Sequence, residues 1–215
     1  MGIRLWREED REAIYRESRH LLAGGGILAL PTETFYALAV DPYQPRALAR
    51  LFTLKERSPE KAVLLLVANR EMAARAVRET PETGARLMAR FWPGPLTLIL
   101  PAAGDLPDLV TAGSGTVGLR QPRQTVLVDL LAALGFPVTG TSANRAGRKP
   151  LTLALEVARE FGEEIDLILD AGTCPGGLPS TVVDVTATPP RLVRPGAVPI
   201  RELLELIPDL WLKNP

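Results

Sequence analysis

The sequence contains one cysteine and one histidine in 215 residues, and these two scarcities exclude whole classes of chemistry. With Cys174 alone no intramolecular disulfide can form, and a reducing compartment is expected. With His20 alone neither a histidine-rich zinc site nor an HExxH helix can be built. A Ser-His-Asp triad would have to recruit that one imidazole, which sits in a charged helical pattern and reads as a surface or partly packed residue. No apolar run approaches the roughly 20 residues of a membrane span. The charge-rich stretch 1–11 does not read as a signal peptide, so a soluble, cytoplasmic protein is expected. Net charge is missing too: 25 Lys and Arg balance 25 Asp and Glu. That balance argues against a protein that coats nucleic acid by bulk charge.

What is present is an ordinary globular composition, 46% hydrophobic and 23% charged, long enough to build a substantial core. Helical periodicity covers residues 8–23, 45–54, 70–78, 81–91, 124–134, 153–161 and 200–206. Pro45 opens the second of these helices, and the Gly24, Gly25 and Gly26 run ends the first. Short apolar runs at 27–30, 63–67, 96–100, 116–119, 137–140, 166–169, 181–185 and 191–193 read as strands. Strands interleaved with helices predict an α/β layered domain.

The polar residues with chemical potential gather in loops at strand ends. The spacing of Gly113, Gly115 and Gly118 matches G-x-G-x-x-G. It neither follows a strand nor opens a helix, so it does not read as a dinucleotide fingerprint. No P-loop is present. Lys55 and Arg57 close an apolar helix, with Lys61 beyond a turn. Two readings stay open there: a phosphate grip, or a solvated helix end favoured by the dipole. Residues 139–144, TGTSAN, follow a short strand and fit either an anion cradle or a cap and turn. Arg120, Arg123 and Arg194 stand at further strand exits. Together these exits favour a site for an anionic substrate. No close carboxylate pair offers acid-base chemistry, and Glu33 is the one acid in its loop. Asp41 and Asp184 read as turn or strand-end residues, and Cys174, without a histidine partner, as structural.

The motifs PTETFY at 31–36, K-x-R at 55–57, WPGPLT at 92–97, TVGLR at 116–120, S-x-N at 142–144, PST at 179–181 and RPG at 194–196 follow one another in order. This series resembles the YrdC-type threonylcarbamoyl-AMP synthases from about residue 10 to 205. The resemblance implies a strongly twisted, mostly parallel open sheet with flanking helices around a concave basic channel, with 1–215 as a single domain. It implies a nucleotidyltransferase that joins L-threonine, bicarbonate or CO2, and ATP into threonylcarbamoyl-AMP and releases pyrophosphate. The product would feed a tRNA modification through a separate threonylcarbamoyl transferase complex, and contact with tRNA itself is a further expectation. Carried over position by position, Thr34, Arg120, Gly140 and Ser180 would bind L-threonine. Lys55, Arg57, Lys61, Thr116, Ser142, Asn144 and Arg194 would bind ATP, with Lys55 and Arg57 catalytic. Mg2+ would arrive with ATP, aided by Ser142 and Asn144.

The sequence departs from the family pattern at Ala62, at Leu66 where some members carry a histidine, in the Tyr36 to Ala39 run, and at Pro150. Two alternatives compete with the synthase: a carbamoyl-transfer domain of the hydrogenase-maturation type, and a non-catalytic double-stranded RNA-binding module. Charge is uneven along the chain. Residues 116–150 hold five basic side chains and one acidic, whereas 156–170 hold one basic and six acidic. A cationic site balanced by an acidic helical stretch is expected.

Overall fold

A computed structural model describes residues 2–212. In chain order the strands are β1 (Gly2–Leu5), β2 (Leu28–Leu30), β3 (Ala37–Ala39), β4 (Leu65–Leu66), β5 (Leu96–Pro101), β6 (Thr116–Arg120), β7 (Val138–Thr139), β8 (Thr141–Ser142), β9 (Leu167–Asp170), β10 (Thr181–Asp184), β11 (Arg191–Arg194) and β12 (Trp211–Leu212). The helices are α1 (Arg11–Ala23), α2 (Pro45–Leu54), α3 (Arg70–Arg75), α4 (Glu82–Phe91), α5 (Asp108–Thr111), α6 (Thr125–Leu134), α7 (Ala154–Phe161) and α8 (Ile200–Leu206).

The α/β class holds, and the strands divide between two sheets. One has the order β1-β9-β2-β3-β8 and the other β12-β11-β10-β5-β6-β4-β7. Both are mixed. β1 and β2 run parallel to β9, as do β4 to β6, β5 to β10 and β11 to β12. β2 with β3, β3 with β8, β4 with β7, β5 with β6 and β10 with β11 are antiparallel. Chain length explains part of this mixture. The loop at 31–36 is too short to carry a crossover helix, so β3 must return antiparallel beside β2.

Local signals set the helix ends. Pro45 occupies the first turn of α2, where its missing N–H costs nothing. A Cβ on Gly26 would stand 2.8 Å from the Leu21 carbonyl oxygen, so only glycine lets the chain turn so tightly from α1 into β2. The inner faces are apolar: Leu28, Leu30, Leu38, Leu65 and Leu119 are all fully buried. The elements that periodicity misses are short. β3 reads Ala-Leu-Ala and is buried on both faces, so no alternation marks it. β8 and β12 are two residues each, and α5 is a single turn.

Leu38 lies in the middle of β3, buried completely. Leu38→Ala should cost about 2–5 kcal/mol through lost transfer energy and the cavity left behind. Denaturant unfolding should show a lower midpoint with little change in slope.

Candidate active site

Between β7 and β8 a single residue, Gly140, carries the chain from one sheet to the other. A cavity of about 460 Å³ opens beside this crossing, lined from both sheets. Ala37, Thr141 and Ser142 come from the first sheet, and Thr97, Arg120 and Arg194 from the second. Gly140 is required there by packing. A Cβ would stand 2.6 Å from Leu66 Cγ and 2.8 Å from Leu64 Cδ1, well inside van der Waals contact.

Of the residues carried over for amino-acid binding, Thr34, Arg120, Gly140 and Ser180 all line this cavity. Arg120 ends β6 and is almost wholly buried, with 6% of its side chain exposed. Burial lowers its pKa, and the carboxylate of Glu33 opposes that pull. Ser180 Oγ shares a hydrogen bond with Thr97 Oγ1 at 2.9 Å. Thr34 Oγ1 shares one with Thr32 Oγ1 at 3.0 Å.

Of the residues carried over for ATP, Arg57, Thr116, Ser142 and Arg194 also line the cavity. Arg194 donates from Nη2 to the Ser180 carbonyl at 2.8 Å and to Ser180 Oγ at 3.0 Å. Gly196 keeps these two segments together, since a Cβ there would stand 2.3 Å from the Pro179 carbonyl oxygen. Burial and then the charge of Arg120 lower the Arg194 pKa, so two cations share the wall. Arg57 is turned by Glu56, which adopts a left-handed φ of 49°. Its Nε donates to the Lys61 carbonyl at 3.0 Å and its Nη2 to that of Ala62, and burial lowers its pKa.

Lys55, Lys61 and Asn144 do not line the cavity. Lys61 is exposed. Lys55 is buried, and its ammonium donates to the carbonyls of Ser142 and Asn144 at 2.5 Å each. It thereby ties the end of α2 to the S-x-N segment, whose Ser142 hydroxyl donates to Asn144 Oδ1 at 2.6 Å. The Ser142 and Asn144 carbonyls accept from an ammonium and the Ser142 hydroxyl is engaged with Asn144 Oδ1, a poor donor set for a resident Mg2+. Among the described residues no group of three or more His, Cys, Asp or Glu could hold a metal ion.

Several lining residues carry no polar motif and escape sequence reasoning. Leu64, Ile99 and Val182 form an apolar wall, and Pro150, a departure from the family pattern, also lines the cavity. The basic loop after Asn144 is not free. Arg145 pairs with Glu164, and its Nε lies 3.6 Å from Glu160 Oε1. Arg148 Nη1 lies 2.9 Å from Glu160 Oε2. The acidic stretch therefore neutralises the loop directly. Cys174 is buried, with its pKa pushed up to about 11 chiefly by that burial, which suits a structural thiol. Asp41 and Asp184 accept from the backbone N–H groups of Tyr43 and Thr186, as turn residues do.

The fold and cavity define an α/β domain with a cationic site between two sheets. A family model for the Sua5/YciO/YrdC domain, described as "Telomere recombination", matches residues 20–196, and the chain belongs to that family. A threonylcarbamoyl-AMP synthase of Pyrococcus abyssi is 35% identical over 204 residues, covering 95% of this chain and 60% of the relative. One of Nitrosococcus oceani is 36% identical over 170 residues, covering 79% of this chain and 91% of that protein. The solved structure of P. abyssi Sua5 complexed with L-threonine superposes with a TM-score of 0.94 at 34% identity, over 99% of this chain and 63% of that one. The chain thus spans about three fifths of the length of the P. abyssi protein. Among the described residues no helix is long and apolar enough to cross a membrane.

Burial, and then the charge of Arg57, lower the Lys55 pKa from 10.5 to about 8. Between those values the unfolded chain holds more protons than the folded one, so this group's contribution to stability rises with pH across that window. Below about pH 8 the full cost of burying the charge is present. The stability of Lys55→Met relative to the wild type should therefore fall from pH 7 to pH 10. Denaturant unfolding at both pH values checks this, and an unchanged difference would show that Lys55 does not titrate there.

Proposed function

We propose that this protein is a threonylcarbamoyl-AMP synthase, acting on L-threonine, bicarbonate or CO2, and ATP. One observation carries the reading: the buried Arg120, the half-buried Arg57 and the more exposed Arg194 face one cavity from different elements, beside hydroxyl and apolar surface. A carboxylate and a polyphosphate are the ligands that such a cluster suits. The family relatives of P. abyssi and N. oceani bear the synthase name.

In this reading Arg120 grips the α-carboxylate of L-threonine through its guanidinium. Thr34 and Ser180 offer hydroxyls to the same ligand, and Leu64, Ile99 and Val182 exclude water around its methyl group. The ammonium of L-threonine loses a proton to solvent, and the resulting amine attacks the carbon of CO2 and loses a second proton to solvent, giving a carbamate. Bicarbonate reaches the same point by losing water. A carbamate oxygen then attacks the α-phosphorus of ATP, the bond to the β-phosphate oxygen breaks, and pyrophosphate leaves. Arg57 and Arg194 stabilise the charge that gathers on the phosphates. Thr116 and Ser142 bind the nucleotide, and Lys61 reaches its phosphates from outside the cavity. Lys55 and Asn144 act by holding the S-x-N segment in place, a positioning role rather than direct contact for Lys55. Mg2+ accompanies ATP as part of the substrate. The adenylate is then passed to a separate transferase complex for tRNA modification.

Pyrophosphate release should depend on L-threonine when the protein is incubated with ATP and bicarbonate, with other amino acids giving far less. Absence of that dependence would overturn the synthase. Arg57→Ala should lower kcat/KM at least roughly tenfold at unchanged Tm, and wild-type rates would remove Arg57 from the site.

A further inference from the structure

Arg120 has a neighbour outside the set of residues assigned to the site. Glu33 Oε1 lies 3.8 Å from Arg120 Nε, with 13% and 6% of the two side chains exposed. Both atoms are buried and neither has a hydrogen-bond partner. The other carboxylate oxygen of Glu33 accepts from the backbone N–H of Arg123 at 3.1 Å. Glu33 is thus pinned by the loop after β6 while facing the Nε side of the guanidinium. Arg120 lines the cavity and Glu33 does not.

We propose that Glu33 is a positioning residue for Arg120: from behind the guanidinium it holds the Nε side and leaves the two Nη groups aimed at the substrate carboxylate. This rests on reading the cavity as an amino-acid site. A buried arginine without a counterion is costly, and the second cation on the same wall, Arg194, adds repulsion. Glu33 supplies the compensating charge, and its carboxylate favours the cationic form of Arg120. The contact is 3.8 Å rather than hydrogen-bond distance. The pair therefore restrains the guanidinium without consuming the donors that a ligand needs.

Glu33→Gln separates this role from bulk. The Arg123 N–H requires the single amide oxygen, which turns the amide nitrogen toward Arg120 Nε and sets donor against donor. The full chain is titrated calorimetrically with L-threonine and with L-threoninamide, which lacks the carboxylate, and KM is measured for both substrates. Glu33→Gln should weaken L-threonine roughly tenfold while L-threoninamide affinity and the KM for ATP stay within roughly twofold. Glu33→Asp, which keeps the charge, should recover part of the loss. Equal losses for both ligands make Glu33 merely structural, and wild-type affinity in Glu33→Gln shows that Arg120 needs no partner. Either result overturns the proposal alone. Wild-type protein that binds neither ligand overturns the amino-acid site, and the role of Glu33 with it.

Discussion

The cavity depends on one backbone constraint: the chain must pass from one sheet to the other within a single residue. That residue is Gly140, and the side chains of Leu64 and Leu66 leave no room for a Cβ. Because the crossing is so short, β7 and β8 cannot drift apart, and the edges of the two sheets are held side by side. The space between them is the site. Thr141 and Ser142 enter it directly after the crossing, while Arg120 and Arg194 arrive from strand ends of the second sheet. A second close approach, Gly196 against Pro179, fixes Arg194 to Ser180 by the same physics. Two glycines of the recognised motifs are therefore packing requirements, and they serve chemistry by placing other residues.

Charge is arranged by burial more than by number. Arg57, Arg120 and Arg194 each lose part of their hydration, which lowers their pKa values and leaves their guanidinium groups eager for anions. The cations of the loop after Asn144 behave differently. Arg145 and Arg148 are engaged with Glu160 and Glu164, so the local positive charge of that loop is spent within the fold. Such partly exposed pairs contribute little to stability individually. They do tie the S-x-N loop to α7.

Much of the secondary structure was legible, because α2 and α8 carry clear apolar periodicity and proline or polar punctuation. Among the strands that escaped, β3 and β8 give periodicity nothing to work on. Ala37, Leu38 and Ala39 are buried on both faces, and Thr141 with Ser142 is too short and too polar to register. Most polar residues that the resemblance assigns to the site line one cavity. Lys55 stands outside it, its ammonium turned back onto the carbonyls of Ser142 and Asn144. No linear pattern encodes that reversal, because it follows from how α2 ends beside β8.

The sequence by itself determined the α/β class, the exclusion of histidine and disulfide chemistry, and the ordered motifs that mark the family. Those properties live in composition and in short-range spacing, which survive any arrangement of the elements. The tertiary structure alone decided which loops share a cavity, which cations are buried, and which are neutralised by distant carboxylates. Glu33 illustrates the division. In the chain it is one acid in a threonine-rich loop, 87 residues before Arg120 in the numbering. Beside β6 it becomes a buried carboxylate facing a guanidinium, because desolvation and contact are properties of position in space.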